Sequence, residues 1–169
     1  MIQQLTTTEL IGKTLTQKLN DPDRQVRAKA AETLGKLGNP LWANAILQQF
    51  HTETDQATQL IQILALGNLQ NPDVIPDLAV FVGHQNLEIR SATVSALSQI
   101  GTPVVIDYLR HALNDQEANI RAIAATGLGE IGSEEVIPAL AAACSDRDDT
   151  VRLNAVEALG KIGDRYSHR

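Results

Sequence analysis

The chain repeats itself at a fixed distance. Arg90, Arg121 and Arg152 are separated by steps of 31 residues, as are Leu97, Leu128 and Leu159, and Gly101, Gly132 and Gly163. The stretch 114–132, NDQEANIRAIAATGLGEIG, shows the unit most clearly. Asp115 opens it, Ile120 and Arg121 follow, Ala124, Ala125, Leu128 and Ile131 recur at helical spacing, and Gly132 closes it. A period of this length leaves few architectures open, because one helical hairpin cannot bury its apolar side alone and must stack on copies of itself. The expected fold is an all-α solenoid of antiparallel helix pairs, about ten helices in one elongated domain.

Taken in order, residues 8–19 read as a first helix with Leu10, Ile11, Leu15 and Leu19 on one stripe, a half-unit capping the stack over 1–20. The first full unit spans 21–52. Asp21-Pro22-Asp23 predicts an Asp cap with Pro in the first helical turn. Val26, Arg27, Ala30, Ala31, Leu34 and Leu37 follow, and Gly38 stops the helix. Asn39-Pro40 then starts a second helix over 41 to about 51. Units 53–83, 84–113 and 114–144 come next, and 145–163 with a short tail supplies one more first helix. An Asp six residues before an Arg (Asp21/Arg27, Asp115/Arg121, Asp146/Arg152) predicts a ladder of alternating charges along one edge, with each Arg reaching the Asp of its own or the next unit.

The second unit is irregular. It carries an extra residue in the loop 51–56, Gln59 in place of Arg, and Gln70 in place of Gly; its second helix is expected from Asn71-Pro72 to about Val82. Leu60, Ile61 and Leu64 fill slots that elsewhere are mostly small or polar, which reads as a rotated helix or an exposed apolar strip serving as an interface. At the last unit the side formed by Val151, Val156, Leu159 and Ile162 is expected to lie open, a second interface through which the chain would self-associate.

A net charge of −6 argues against nucleic-acid and anionic membrane surfaces, and aromatics at 3% leave few platforms for stacking bases. No stretch approaches membrane-spanning length, and MIQQLTTTELIGK lacks the basic start and apolar run of a signal peptide. One cysteine excludes an internal disulfide, and the expected location is the cytoplasm.

The segments VRAKAAETLGKLG at 26–38, IRAIAATGLGEIG at 120–132 and VRLNAVEALGKIG at 151–163 resemble the short HEAT-like repeats of the phycobilisome lyases. That resemblance covers nearly the whole chain. It implies either bilin lyase subunits, which attach linear tetrapyrroles to phycobiliprotein cysteines and often work as unlike pairs, or chaperones and adaptors of phycobilisome assembly and breakdown. Deoxyhypusine hydroxylases resemble it in repeat but use His-Glu dyads for iron. Here His51, His84, His111 and His168 are followed by Thr, Gln, Ala and Arg, and no metal is expected. The adjacent His-Cys pair of lyase-isomerases is replaced by Ala143-Cys144-Ser145. HEAT-like DNA glycosylases are typically basic on their inner side, unlike this acidic chain.

Second helices line the inner curve of such solenoids. Their alignment puts Asn44, Gln48, Asp73, Asp77, Asp107, Tyr108 and His111 on the concave side, with Arg110 beside them. The plain reading is a solvated helix face that binds a protein partner. In the bilin reading Asp would pair with pyrrole N–H groups, Tyr would pack on the ring system, His would assist proton transfer, and Arg110 would meet a propionate. Cys144 aligns with Phe50, Val82 and Leu113 and is expected to be a small buried hydrophobe. Trp42 aligns with Val74, Val105 and Val136 and is expected to pack between helices, or to anchor a partner. The expected function is a non-catalytic scaffold or chaperone-like adaptor binding a protein (a phycobiliprotein or a sister subunit) without a cofactor. The alternative is a phycobilin lyase subunit with phycocyanobilin as substrate.

Overall fold

The computed structural model describes residues 6–167. Among them are ten α-helices: α1 (Thr7–Lys18), α2 (Arg24–Leu37), α3 (Ala43–Phe50), α4 (Gln56–Leu69), α5 (Ile75–Ala79), α6 (Leu87–Ile100), α7 (Ile106–Ala112), α8 (Ala118–Ile131), α9 (Ile137–Ala143) and α10 (Asp149–Ser167). Long first helices alternate with short second ones in an α-solenoid fold. The helices fall into two compact units, Met1–Val74 and Ile75–Arg169.

In the first unit Asp23 caps α2 by accepting from the N–H groups of Gln25 and Val26. Pro22 therefore precedes the cap and does not occupy the first turn as the sequence suggested. The reason lies in the loop: Asp21 accepts from the Asp23 N–H, and the carbonyls of Asp21 and Pro22 are claimed by Arg27, so the helix starts only after the turn closes. Each second helix is also shorter than expected. A 3-10 turn (Pro40–Trp42, Pro72–Val74) replaces its start, and α5 ends at Ala79 rather than near Val82. Trp42 lies directly over Gly12 of α1, where any Cβ would collide with the indole, so the tryptophan packs between helices. Of the expected stripe Leu10 and Ile11 remain exposed while Leu19, the residue after α1, is buried, and α1 itself buries Gly12.

Successive first helices meet through a pair of small residues. A Cβ on Gly35 would come within 2.8 Å of the Ala65 Cα, and one on Gly129 within 2.7 Å of the Ala158 Cα. Between α6 and α8 the order is exchanged: Ser98 stands in the slot of Gly35 and Gly129, and its partner is Gly127. One member of each pair must lack bulk for the backbones to approach this closely. Helices α2, α6 and α8 end at Gly38, Gly101 and Gly132, all left-handed; α4 ends at Gln70, left-handed at φ 50°. A side chain pays for that conformation where glycine does not.

Gln62 of α4 is fully buried, and neither end of its amide has a hydrogen-bond partner. Ala30, Thr93, Ala124 and Ala155 fill the same slot elsewhere, and Thr93 satisfies its hydroxyl on the Ile89 carbonyl.

The charge ladder is built from one planar group used on both edges. Arg121 clamps Asp146 through Nε and Nη2, both at 2.8 Å, while Nη1 donates to the carbonyls of Asp115 and Gln116 at 2.9 and 3.1 Å. Arg27 does the same with Glu53 at 2.8 Å, and Arg90 with Asp115 at 2.7 and 3.3 Å. Arg90 and Arg121 are 6% and 4% exposed, so these forks work largely out of water. Gln59 keeps the bond to the carbonyl six residues back, on Glu53, without the charge. His84 takes the carboxylate's place in its loop: its Nδ1 accepts the Asn86 N–H at 3.1 Å, as Asp115 and Asp146 accept from Glu117 and Asp148.

The last helix differs from expectation. Gly163 does not close it; α10 runs to Ser167. The added turn is held because Arg165 donates to the carbonyls of Glu130 and Ile131 at 2.9 and 3.2 Å, and Tyr166 to that of Gly132 at 3.4 Å, satisfying the open end of α8. His168 lies outside the described residues.

Arg121→Ala leaves the Asp146 carboxylate and two loop carbonyls without their donor, and urea denaturation should show a loss of about 2–4 kcal/mol. Gln70→Gly relieves the left-handed position and should raise stability by about 1 kcal/mol in the same assay, net of the added freedom of the unfolded chain. The Arg27 guanidinium beside Glu53 and the Arg121 guanidinium beside Asp146 hold these carboxyls below the usual carboxylate range, and hydrogen bonds from Thr58 and Arg24 bring Asp55 to about 2. Groups depressed on folding stabilise fully above their unfolded pKa, about 4, and lose that contribution as pH falls through the folded value. Melting temperature should therefore hold from about pH 7 to about pH 5 and fall steadily between about pH 4 and about pH 2; a rise on acidification would contradict the ladder.

Candidate functional site

Short second helices expose the chemistry that the long first helices bury. In the first unit Asn44 and Gln48 stand exposed one turn apart on α3, where positions four residues apart share a face. Asp73 is exposed on the turn Pro72–Val74, its N–H donated to the Asn71 side chain. Leu60 and Ile61 are half-buried and Leu64 is 39% exposed, so the three do not form one open apolar strip; α4 turns the first two towards its neighbours.

The second unit gathers the denser group. On α7, Asp107 is exposed, Tyr108 half-buried, and His111 exposed, while Asp77 of α5 is half-buried. Arg110 is not a free cation. Its Nη1 pairs with Asp107 at 3.2 Å, and its Nη2 donates to the Glu135 carbonyl and lies 3.9 Å from the Glu135 carboxylate. The guanidinium thus ties α7 to the turn before α9, which removes it as a ready partner for a propionate.

Between α7 and α9 lies a cleft of about 340 Å3 with Ala139, Ala142 and Ala143 as its floor and Arg110, Asn114 and Asp146 at its edge. Alanine at each of these three positions leaves room that a larger side chain would fill. A neighbouring polar cleft of about 540 Å3 is lined by His84, Gln85, Arg90, His111 and Asp115 among others. Glu134 and Glu135 on the turn before α9 are exposed and extend the acidic rim. Alignment of helices alone missed both, because they sit in the 3-10 turn ahead of the second helix. Comparing the turn positions Leu41, Asp73, Val104 and Glu135, all exposed, finds the second of them.

Cys144, the residue after α9, is half-buried like Leu113 and not sealed in like Phe50 and Val82. On α10, Val156 is 58% exposed and Leu159 half-buried, but Val151 and Ile162 are inward-facing at 0% and 2%. The expected interface loses those two residues and gains Leu153, 66% exposed. Among the described residues no cluster of three or more His, Cys, Asp or Glu side chains is placed to hold a metal ion, and no helix is long and apolar enough to cross a membrane.

The sequence matches the HEAT repeats family over residues 43–120 and 111–167, with a further HEAT repeat at 11–40. The chain belongs to the HEAT repeat family. Comparison with curated proteins gives no match. Among solved structures it is similar to a chain from the complex of CpcE and CpcF of phycocyanin lyase from Nostoc sp. PCC7120, with a TM-score of 0.77 and 19% identity over 96% of this chain and 66% of that one. It thus spans just under two thirds of that chain's length. It is also similar to Cex1p (TM-score 0.67, 22% identity, 92% of this chain and 36% of that one) and to a designed armadillo repeat protein in complex with the peptide (KR)4 (TM-score 0.62, 16% identity, 88% and 80%). At these identities the likeness is one of fold.

Proposed function

We propose that this HEAT repeat protein is a non-catalytic binding module that takes an extended, basic segment of a protein partner along the α7–α9 face. The observation that carries the reading is the alanine-lined cleft beside Asp107, Glu134 and Glu135, three exposed carboxylates set around one arginine, Arg110, while Asp146 at the cleft's edge is held by Arg121. An open apolar floor accepts a backbone, and acidic groups beside it attract cationic side chains. A rigid array presents such a face with little ordering cost. The designed armadillo protein bound to (KR)4 supports the chemistry by analogy of fold.

A second reading makes the chain a subunit of a phycobilin lyase, with a tetrapyrrole held along the same face. Its support is the likeness to a chain of the phycocyanin lyase complex and the grouping of Asp107, Tyr108 and His111 on α7.

A labelled peptide of alternating Lys and Arg should bind with an affinity that falls as salt rises. Asp107→Asn with Glu135→Gln should weaken it about tenfold at unchanged melting temperature. Glu88→Gln with Asp164→Asn, an equal charge change at exposed positions elsewhere, should leave it unaltered. Equal losses in the two double variants would reduce the effect to net charge and remove the site. A changed absorption spectrum on mixing with phycocyanobilin, with no peptide binding, would move the assignment to the second reading.

A further inference from the structure

Helix α10 carries the α8 stacking face a second time, and nothing in the described chain covers it. On α8 that face is Ala122, Ala125 and Gly129, of which the two alanines are 4% and 0% exposed, and Gly129 lies against Ala158. The same slots on α10 are Leu153, Val156 and Gly160; the first two are 66% and 58% exposed, and among the described residues nothing lies within 4 Å of where a Cβ on Gly160 would sit. A separate observation concerns charge. Arg152 donates through Nη1 to the carbonyl of Asp146 at 2.8 Å, the loop bond made by every arginine of the ladder. Its Nε and Nη2 edge, the edge with which Arg27, Arg90 and Arg121 grip a carboxylate of the following repeat, has no partner among the described residues. The face is therefore a continuation of an interface already formed three times, with its acidic half supplied from outside.

The first unit offers that half. The corresponding receiving side of α2 is a cleft of about 380 Å3 formed by Leu15, Val26, Ala30 and Thr33 and rimmed by Lys18, Asp23, Gln25 and Lys29. Asp21 sits in the acceptor slot filled elsewhere by Glu53, Asp115 and Asp146, and it meets Lys18 at 2.9 Å where those meet an arginine. Thr33 falls in the slot of Ala158, opposite which Gly129 leaves space as Gly160 would in a second copy. Glu157 is exposed in the slot of Thr126, which receives Asn154 across the α8–α10 seam; on α2 that receiving position is Lys29, of opposite charge. Lys161 would face Lys36, and each is already paired with carboxylates of its own chain, Glu130 and Glu157 for the first and Glu32 for the second.

We propose that α10 of one copy docks on the α2 cleft of a second copy, with Arg152 gripping the second copy's Asp21 and extending the charge ladder across the junction. This interface is separate from the α7–α9 face and does not rest on the reading given above.

Sedimentation of the full 169-residue chain should show a mass that rises with concentration and falls with added salt. Gly160→Leu should weaken association at least about tenfold, by placing a side chain where helices must touch. Because that site is open in the free chain and glycine is a poor helix former, its melting temperature should hold or rise. Thr33→Tyr should block the opposite side equally. Mixed together, the two variants should form a dimer through their remaining intact faces, α10 of the Thr33→Tyr chain on α2 of the Gly160→Leu chain. Basic-peptide binding should be unchanged in Gly160→Leu, which separates the two proposals. A wild-type chain that stays monomeric at high concentration, Gly160→Leu chains that associate like wild type, or a mixture that forms no dimer would each overturn the inference.

Discussion

Arg27, Arg90 and Arg121 each perform two jobs with one planar group. One edge holds the loop in front of its own helix by taking two carbonyls, and the other takes the carboxylate of the next repeat, as Arg121 does with Asp115, Gln116 and Asp146. Local loop geometry and the seating of the next repeat are thereby fixed by a single rigid fork. A lysine could not do this, since its ammonium lacks the fixed planar spread of donors. The groups are nearly out of water, which sharpens the cost of leaving any of them unpaired.

The ladder places the helices, and the small-residue seam lets them close. Gly35 against Ala65, Ser98 against Gly127 and Gly129 against Ala158 show one rule with its members exchanged: the sum of the two side chains stays small, while either partner supplies the economy. At Ser98 the added hydroxymethyl is matched by the loss of a methyl on the facing helix. Such compensation within one chain marks a contact at which backbone distance, not side-chain identity, is held constant.

Much of this was legible in the residues. The 31-residue step of Arg, Leu and Gly announced helix pairs, and the Asp-to-Arg spacing announced the ladder, because both devices demand particular residue types at fixed places. The shortened second helices were not legible. Asn-Pro reads equally as the start of an α-helix or of a 3-10 turn, and only contact with the preceding repeat decides. The site suffered most from this. Arg110 looked available in sequence, yet its partner Glu135 comes from the next repeat's turn, a pairing that helix alignment does not bring together. The depths of Cys144 and Ile162 were not legible either, because alignment gives a slot its direction along the array but not its depth.

Gln62 carries a consequence for how the array comes apart. Its amide is sealed in with neither hydrogen nor lone pair engaged, so α4 gives up water contacts on closing and receives nothing in return at that point. Cooperative opening in stacked proteins begins where the local balance is poorest. The second repeat, which also gives up an arginine at Gln59 and a glycine at Gln70, should thus be the part of the array where amide protons exchange before those of the other repeats and where a protease finds its foothold.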